Sequence, residues 1–253
     1  MRTIIFSKRN LKELLRDPLS YVFCLGFPIV MLLIMTIINN SIPPEANMTI
    51  FRIDNLSGGI AVFGLSFVML FSALLLSQDR TGAFLTRLYA SPMKASEFIA
   101  GYYLPILLLA AAQSVITFFA SFIIAAIDGV EMSISGALLA IVSLIPTSVM
   151  FIGFGLLFGI LFNSNAAPGL CSIIISGAGV LGGIWMDVEA MGGGFRDVCM
   201  ALPFYHSVRL SRNVMAGVTD NMGTDLLIIL AYMAASFILS VLAFRRNMTK
   251  DIK

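Results

Sequence analysis

The chain has 253 residues and a formal net charge of +2; 58% of it is hydrophobic and only 12% is charged. Soluble domains run at roughly 45–50% and 25%, so a water-soluble globule is excluded and an all-α, bilayer-embedded fold is expected. So small a net charge is no sign of nucleic-acid binding, and no nucleic-acid partner is expected.

Residues 1 to 17 come first and read as an amphipathic elbow helix ending at Pro18. Ile4, Leu11, Leu14 and Leu15 share one face with Ser7, Arg2, Arg9, Lys12 and Arg16 lie away from it, and Ile5 and Phe6 break the pattern. A basic amphipathic helix next to a span lies in the membrane interface. It serves either as a topology anchor or also as a contact for a cytoplasmic partner.

A helix needs about 20 apolar residues to cross a hydrocarbon core roughly 30 Å thick. Six stretches qualify: 19–38, 58–77, 98–127, 134–162, 167–186 and 226–244. The run from Met132 to Met186 contains no Asp, Glu, Lys, Arg or His. It therefore holds two crossings, separated by Asn163-Ser164-Asn165 and Pro168. Of the 16 basic residues, 12 fall on the side of both termini and the second–third loop, and only Arg52, Arg196, Arg209 and Arg212 fall on the other. Basic residues stay inside, so both termini are expected in the cytoplasm of a plasma-membrane protein made of one transmembrane domain.

The loop from Gln78 to Glu97 is the one sizeable inner loop. Phe84, Leu85, Leu88 and Tyr89 fall on one helical face with Arg80 and Arg87 opposite. Ser91-Pro92 is a helix start, Ser as cap and Pro in the first turn, so a second helix is expected to run through Lys94 and Glu97 into the third span. An apolar face at the inner surface is either a docking surface for a partner or a helix lying on lipid.

Between the last two spans, Gly192, Gly193 and Gly194 form a hinge or turn. Phe195, Val198, Cys199 and Leu202 come next at helical spacing, and Pro203 opens a second short helix at Phe204. Both pieces are too short to span. They are expected either to dip into the outer leaflet or to cap it. In the first case Phe195, Val198, Leu202, Pro203 and Phe204 form an outer gate. Gly155-x-x-x-Gly159 and Gly179-x-x-x-Gly183 permit close helix contact, within the chain or between copies.

What is missing also matters. No span carries an ionisable residue in its central part, which disfavours proton-coupled transport. There is one histidine, His206, and no Ser-His pair, Asp pair or zinc cluster within the spans. None of the five lysines stands in a phosphate-binding loop, so the chain cannot hydrolyse ATP by itself. The three cysteines suggest neither disulfide nor metal, and Cys199 is expected on the outer side.

The order of these parts resembles the type-2 ABC exporter permease. The resemblance rests on Arg87-Leu88-Tyr89-Ala90-Ser91-Pro92-Met93, on Leu181-Gly182-Gly183-Ile184 and, loosely, on Ala201-Leu202-Pro203-Phe204-Tyr205 with Arg209. It departs at Asp79-Arg80-Thr81-Gly82, where an acidic run is usual, and at Trp185-Met186-Asp187, where Phe-Pro is usual. The resemblance implies a transporter of two permease subunits, alike or homologous, and two ATPase subunits. ATP and Mg would then bind only in the ATPase, docked through Phe84, Leu88, Tyr89, Ser91, Pro92, Lys94 and Glu97. The expected cargo is a lipophilic or amphipathic drug, natural product or lipid. A polysaccharide cargo, or a non-transporting assembly or sensor role, is the alternative.

Overall fold

A computed structural model of the protein describes residues 2–43, 49–81, 84 and 93–251. Among them every regular element is a helix. In chain order these are α1 (Arg2–Leu14), α2 (Pro18–Ser41), α3 (Ile53–Thr81), α4 (Ala95–Asp128), α5 (Ile134–Leu161), α6 (Ala167–Leu181), α7 (Val188–Met191), α8 (Gly193–Ala201), α9 (Pro203–Ala216) and α10 (Met222–Asp251). Helices α2, α3, α4, α5 and α10 are long and apolar enough to cross a membrane.

Local chemistry sets several boundaries. The Asp17 carboxylate accepts from the Leu19 N–H at 3.1 Å, and Pro18 fills the first position of α2. Inside α2 the Phe27 N–H reaches back five residues to the Val22 carbonyl, a widened turn just before Pro28, which has no N–H of its own to donate. The Ser133 hydroxyl caps α5 by accepting from the Gly136 N–H at 3.0 Å. Helix α4 begins at Ala95, three residues beyond Pro92, with the Glu97 carboxylate reaching back to the Lys94 N–H at 2.8 Å.

Helix α3 is the axis of the bundle. It packs against α2, α4, α5, α6 and α9 and is buried along almost its whole length. Two glycines of α5 let the two backbones meet. A Cβ on Gly155 would lie 2.2 Å from the Met69 carbonyl oxygen, and one on Gly159 would lie 2.7 Å from that of Ala73. The Gly155–Gly159 pair therefore serves packing within the chain. Midway along α4, buried Gln113 donates to the Ala61 carbonyl at 3.3 Å and to the Thr117 hydroxyl at 3.1 Å. This central contact is polar and uncharged.

The fifth apolar stretch departs from expectation. Helix α6 stops at Leu181, not Met186. Its 15 residues span about 22 Å at about 1.5 Å each, less than the hydrocarbon core. The cause is the turn at its end. Gly183 sits at φ 70°, the left-handed region open to glycine, and Trp185 folds back over Gly179, where a Cβ would lie 2.4 Å from the indole Nε1. Gly179 and Gly183 therefore shape a returning chain and not a helix–helix contact.

The amphipathic reading of α1 also needs correction. Phe6, which breaks the sequence pattern, is buried with Ser7, Asn10 and Leu14, whereas Ile4, Ile5 and Leu15 are exposed. The helix thus has two apolar sides, one packed on the bundle and one exposed. Phe6 packs edge-on against Phe98 and Tyr102, and it fills the space over Gly101.

The α3–α5 approach yields a test. Gly155→Ala should lower the thermal midpoint of the purified protein by the cost of overpacking, about 1–3 kcal/mol. Gly223→Ala, where an added carbon meets nothing within 4 Å, should stay within about 0.5 kcal/mol. Equal effects at the two sites would show that the close approach does not limit stability.

Candidate functional site

The charged side chains of the bundle gather at its two ends. At the end expected to face inward, called the inner end as the opposite one is called the outer end, Asp79, in the last turns of α3, is nearly buried. Arg9 of α1 donates to both its oxygens, at 2.6 and 2.7 Å, and the Tyr102 hydroxyl of α4 donates to it at 2.7 Å. A bidentate guanidinium–carboxylate pair fixes direction as well as distance. Arg9 also pairs with Glu13 one turn on, and its guanidinium carbon lies 3.9 Å from the centre of the Phe84 ring. Phe84 in turn stacks on Phe6 at 6.4 Å between ring centres. The next residue, Arg80, reaches the Gly159 and Ile160 carbonyls at the end of α5. A cation there completes free carbonyls and meets the negative end of the helix dipole.

Of the residues expected to dock an ATPase, Phe84, Lys94 and Glu97 are therefore placed. Phe84 is clamped under Arg9, Lys94 is exposed and Glu97 caps α4. Leu88, Tyr89, Ser91 and Pro92 lie outside the described residues. The junction of Asp79, Arg9 and Tyr102 is not legible in the sequence, since their spacing along the chain carries no pattern.

At the outer end α9 is buried among α3, α5 and α10. Phe204 stacks on Phe151 of α5, with ring centres 5.8 Å apart. His206 is almost completely buried between two acceptors: its Nδ1 lies 2.6 Å from an Asp225 carboxylate oxygen, its Nε2 2.8 Å from the Met200 carbonyl. Arg209 donates from Nε to the same carboxylate at 2.9 Å, and this hydrogen bond raises its pKa further. Asp225 itself is fully buried in the first turn of α10, where the helix dipole favours an anion.

Arg212, one turn beyond Arg209, has different company. Its Nε donates to the Asn55 carbonyl of α3 at 3.0 Å and its Nη1 to the Gly183 carbonyl at 2.9 Å, while its buried Nη2 has no partner. Burial pulls this guanidinium down to about 10, still charged at neutral pH. It ties together α3, α9 and the turn after α6, and it lines two outer cavities of about 260 and 520 Å3.

The expected outer gate is divided in space. Phe195 and Cys199 pack inward on Val188 and Tyr205, with Leu181 beside them. Leu202 and Phe204 belong to the main core, Pro203 is buried at the start of α9, and Val198 is half exposed. Cys199, placed by its spacing on the apolar face of α8, is fully buried: the helical step of about 100° per residue takes it from the exposed side at Val198 to the inward side. Gly192 and Gly193 both have positive φ, 61° and 57°, and form the corner between α7 and α8; Gly194 does not. Glu189 of α7 accepts from the Tyr205 hydroxyl and pairs with Arg196 at 2.8 Å. The Tyr232 hydroxyl of α10 donates to the Ala201 carbonyl at the end of α8, at 2.9 Å. Among the described residues no group of three or more His, Cys, Asp or Glu side chains could hold a metal ion.

The sequence model of one family, described as ABC-2 type transporter, matches residues 1–216. That range runs from α1 to the end of α9. No curated protein matches the chain.

The outer ion network makes a quantitative expectation. Asp225→Asn leaves Arg209 and His206 facing a neutral side chain. Breaking a buried pair costs about 3–5 kcal/mol, or roughly 6–20 °C at about 2–4 °C per kcal/mol. A melting curve followed by size-exclusion recovery measures this, and a fall of under about 2 °C would show that the network does not hold α9 to α10.

Proposed function

The chain belongs to the ABC-2 type transporter family, and from that premise we propose that it is the membrane permease of an ATP-driven exporter. It moves a lipophilic or amphipathic compound out of the cytoplasm. A domain of this family is a transmembrane component and is not itself catalytic, and membership implies an ABC ATPase as partner in general. The proposal adds two ATPase copies and a second permease, identical or homologous. It also adds a plasma-membrane location with both termini in the cytoplasm.

One observation carries this reading: the junction of Arg9, Asp79 and Tyr102 beside Phe84. A loop that only joined two spans would need no such bracing. Here the last turns of α3, which lead into the inner loop, are tied to α1 and α4 through Asp79 and to α5 through Arg80. A push on Phe84, Leu88, Tyr89 and Ser91 to Glu97 therefore reaches three helices at once through short, directed bonds. On the outer side α8 is the moving piece of the gate, with its corner at Gly192 to Gly194 and Val198 facing outward. The cargo reading draws on 20 Phe and 15 Met against one Trp. Phe and Met give adaptable apolar surfaces, while sugar-handling pores use more stacking aromatics.

Replacing Pro92 and Lys94 together should reduce ATP-driven export at least about tenfold, a barrier change of about 1.4 kcal/mol. ATP hydrolysis by the purified complex should persist. Normal transport at normal expression would refute docking at this loop. For orientation, a membrane-impermeant thiol reagent on intact cells should label Asp220→Cys, in the exposed turn before α10, and spare Lys94→Cys. The reverse pattern would invert the topology.

A further inference from the structure

The smaller outer cavity, of about 260 Å3, lies between the start of α3, the Gly182–Gly183 turn and α9. Four charged side chains line it: Asp187, Glu189, Arg209 and Arg212. Two are already neutralised. Arg209 is paired with buried Asp225, and Glu189 is held by Arg196 and Tyr205. The other two form no direct ion pair, although Asp187 acts on Arg212 through space. Arg212 spends two donors on main-chain carbonyls, keeps a buried Nη2 without a partner and has no carboxylate within ion-pair distance among the described residues. Asp187 is exposed, and its one engaged oxygen accepts from the Glu189 and Ala190 N–H groups at 3.0 and 3.1 Å; no cation pairs with it among the described residues. The cavity thus presents one positive and one negative group that act on each other through space without a direct ion pair, in a volume just below that of common small-molecule pockets, about 300–1,000 Å3. Asn55, Asn213 and Thr49 add uncharged polar surface.

We propose that this cavity binds a zwitterionic head group, with its phosphate against Arg212 and its ammonium against Asp187. Charge complementarity decides between ligand classes. A purely anionic group would gain at Arg212 and lose at Asp187, and a purely cationic one would do the reverse. Only a group carrying both charges satisfies both walls. A planar guanidinium suits a phosphate diester, and an exposed carboxylate suits a primary ammonium. On the orientation proposed above, this end of the bundle lies beside the outer head-group layer.

Native mass spectrometry of the full-length protein, released from detergent, tests this. The probes are dioleoyl phosphatidylethanolamine and dioleoyl phosphatidylglycerol, offered in equal amounts, with tail-free glycerophosphoethanolamine as competitor. Bound phosphatidylethanolamine should exceed phosphatidylglycerol at least about tenfold, or about 1.4 kcal/mol. Asp187→Asn should bring that ratio close to one. Asparagine keeps the oxygen that caps α7, so the variant should fold. Arg212→Gln should lower the binding of both lipids, and Arg212→Lys should restore it in part. An equal ratio in the unmodified protein overturns the proposal, and so does a ratio that Asp187→Asn leaves unchanged. Displacement of phosphatidylethanolamine by equimolar glycerophosphoethanolamine supports the proposal and makes the head group alone the ligand. Failure to displace it at tenfold excess, with the preference intact, supports the proposal and makes the ligand a tailed lipid.

Discussion

A helix enclosed by other helices in a bilayer can carry charge only at its ends, and α3 obeys that constraint along its whole length. It meets α2, α4, α5, α6 and α9, so almost none of its surface is left for water. Its middle is uncharged and includes glycines and serines that let neighbours approach. Its inner end carries Asp79 and Arg80, which bind α1, α4 and α5. Its outer end gives the Asn55 carbonyl to Arg212. The central helix is therefore free of charge along its middle and is fastened at one end by ion pairing at Asp79 and at the other by a hydrogen bond from Arg212.

This arrangement gives two local contacts a long reach. The inner fastening joins the last turns of α3 to α1, α4 and α5. The outer fastening joins α9 to α10 through Asp225, and joins α9 to α3 and the α6 turn through Arg212. Buried ion pairs of this kind are weak sources of net stability, because desolvation offsets much of the attraction. They are strong sources of geometry, because each group has one satisfactory place to be. A membrane protein that must change between defined shapes gains from that property.

Much of this architecture was legible in the chain. Uncharged runs located the long helices to within a few residues, because a bilayer imposes one length and one polarity on whatever crosses it. Two misreadings have specific causes. Phe6 broke the single-face pattern of α1, since that helix packs Phe6 against Phe98 and Tyr102 while Ile4, Ile5 and Leu15 stay exposed. The fifth stretch stayed apolar as far as Met186, yet α6 ended at Leu181, because hydropathy does not register a left-handed glycine turn.

The sequence by itself determined that the chain is a helical membrane protein, roughly where its long helices lie and that it carries no phosphate-binding loop of its own. These conclusions come from composition and from patterns local in the chain. Tertiary structure alone decided which charges meet. Arg9 and Asp79 are 70 residues apart, and Arg212 and Asn55 are 157 apart. It likewise decided that Gly155 and Gly159 face Met69 and Ala73 within the chain. The physical reason is the same in each case: a partner chosen by helix packing leaves no periodic trace in either of the segments it joins.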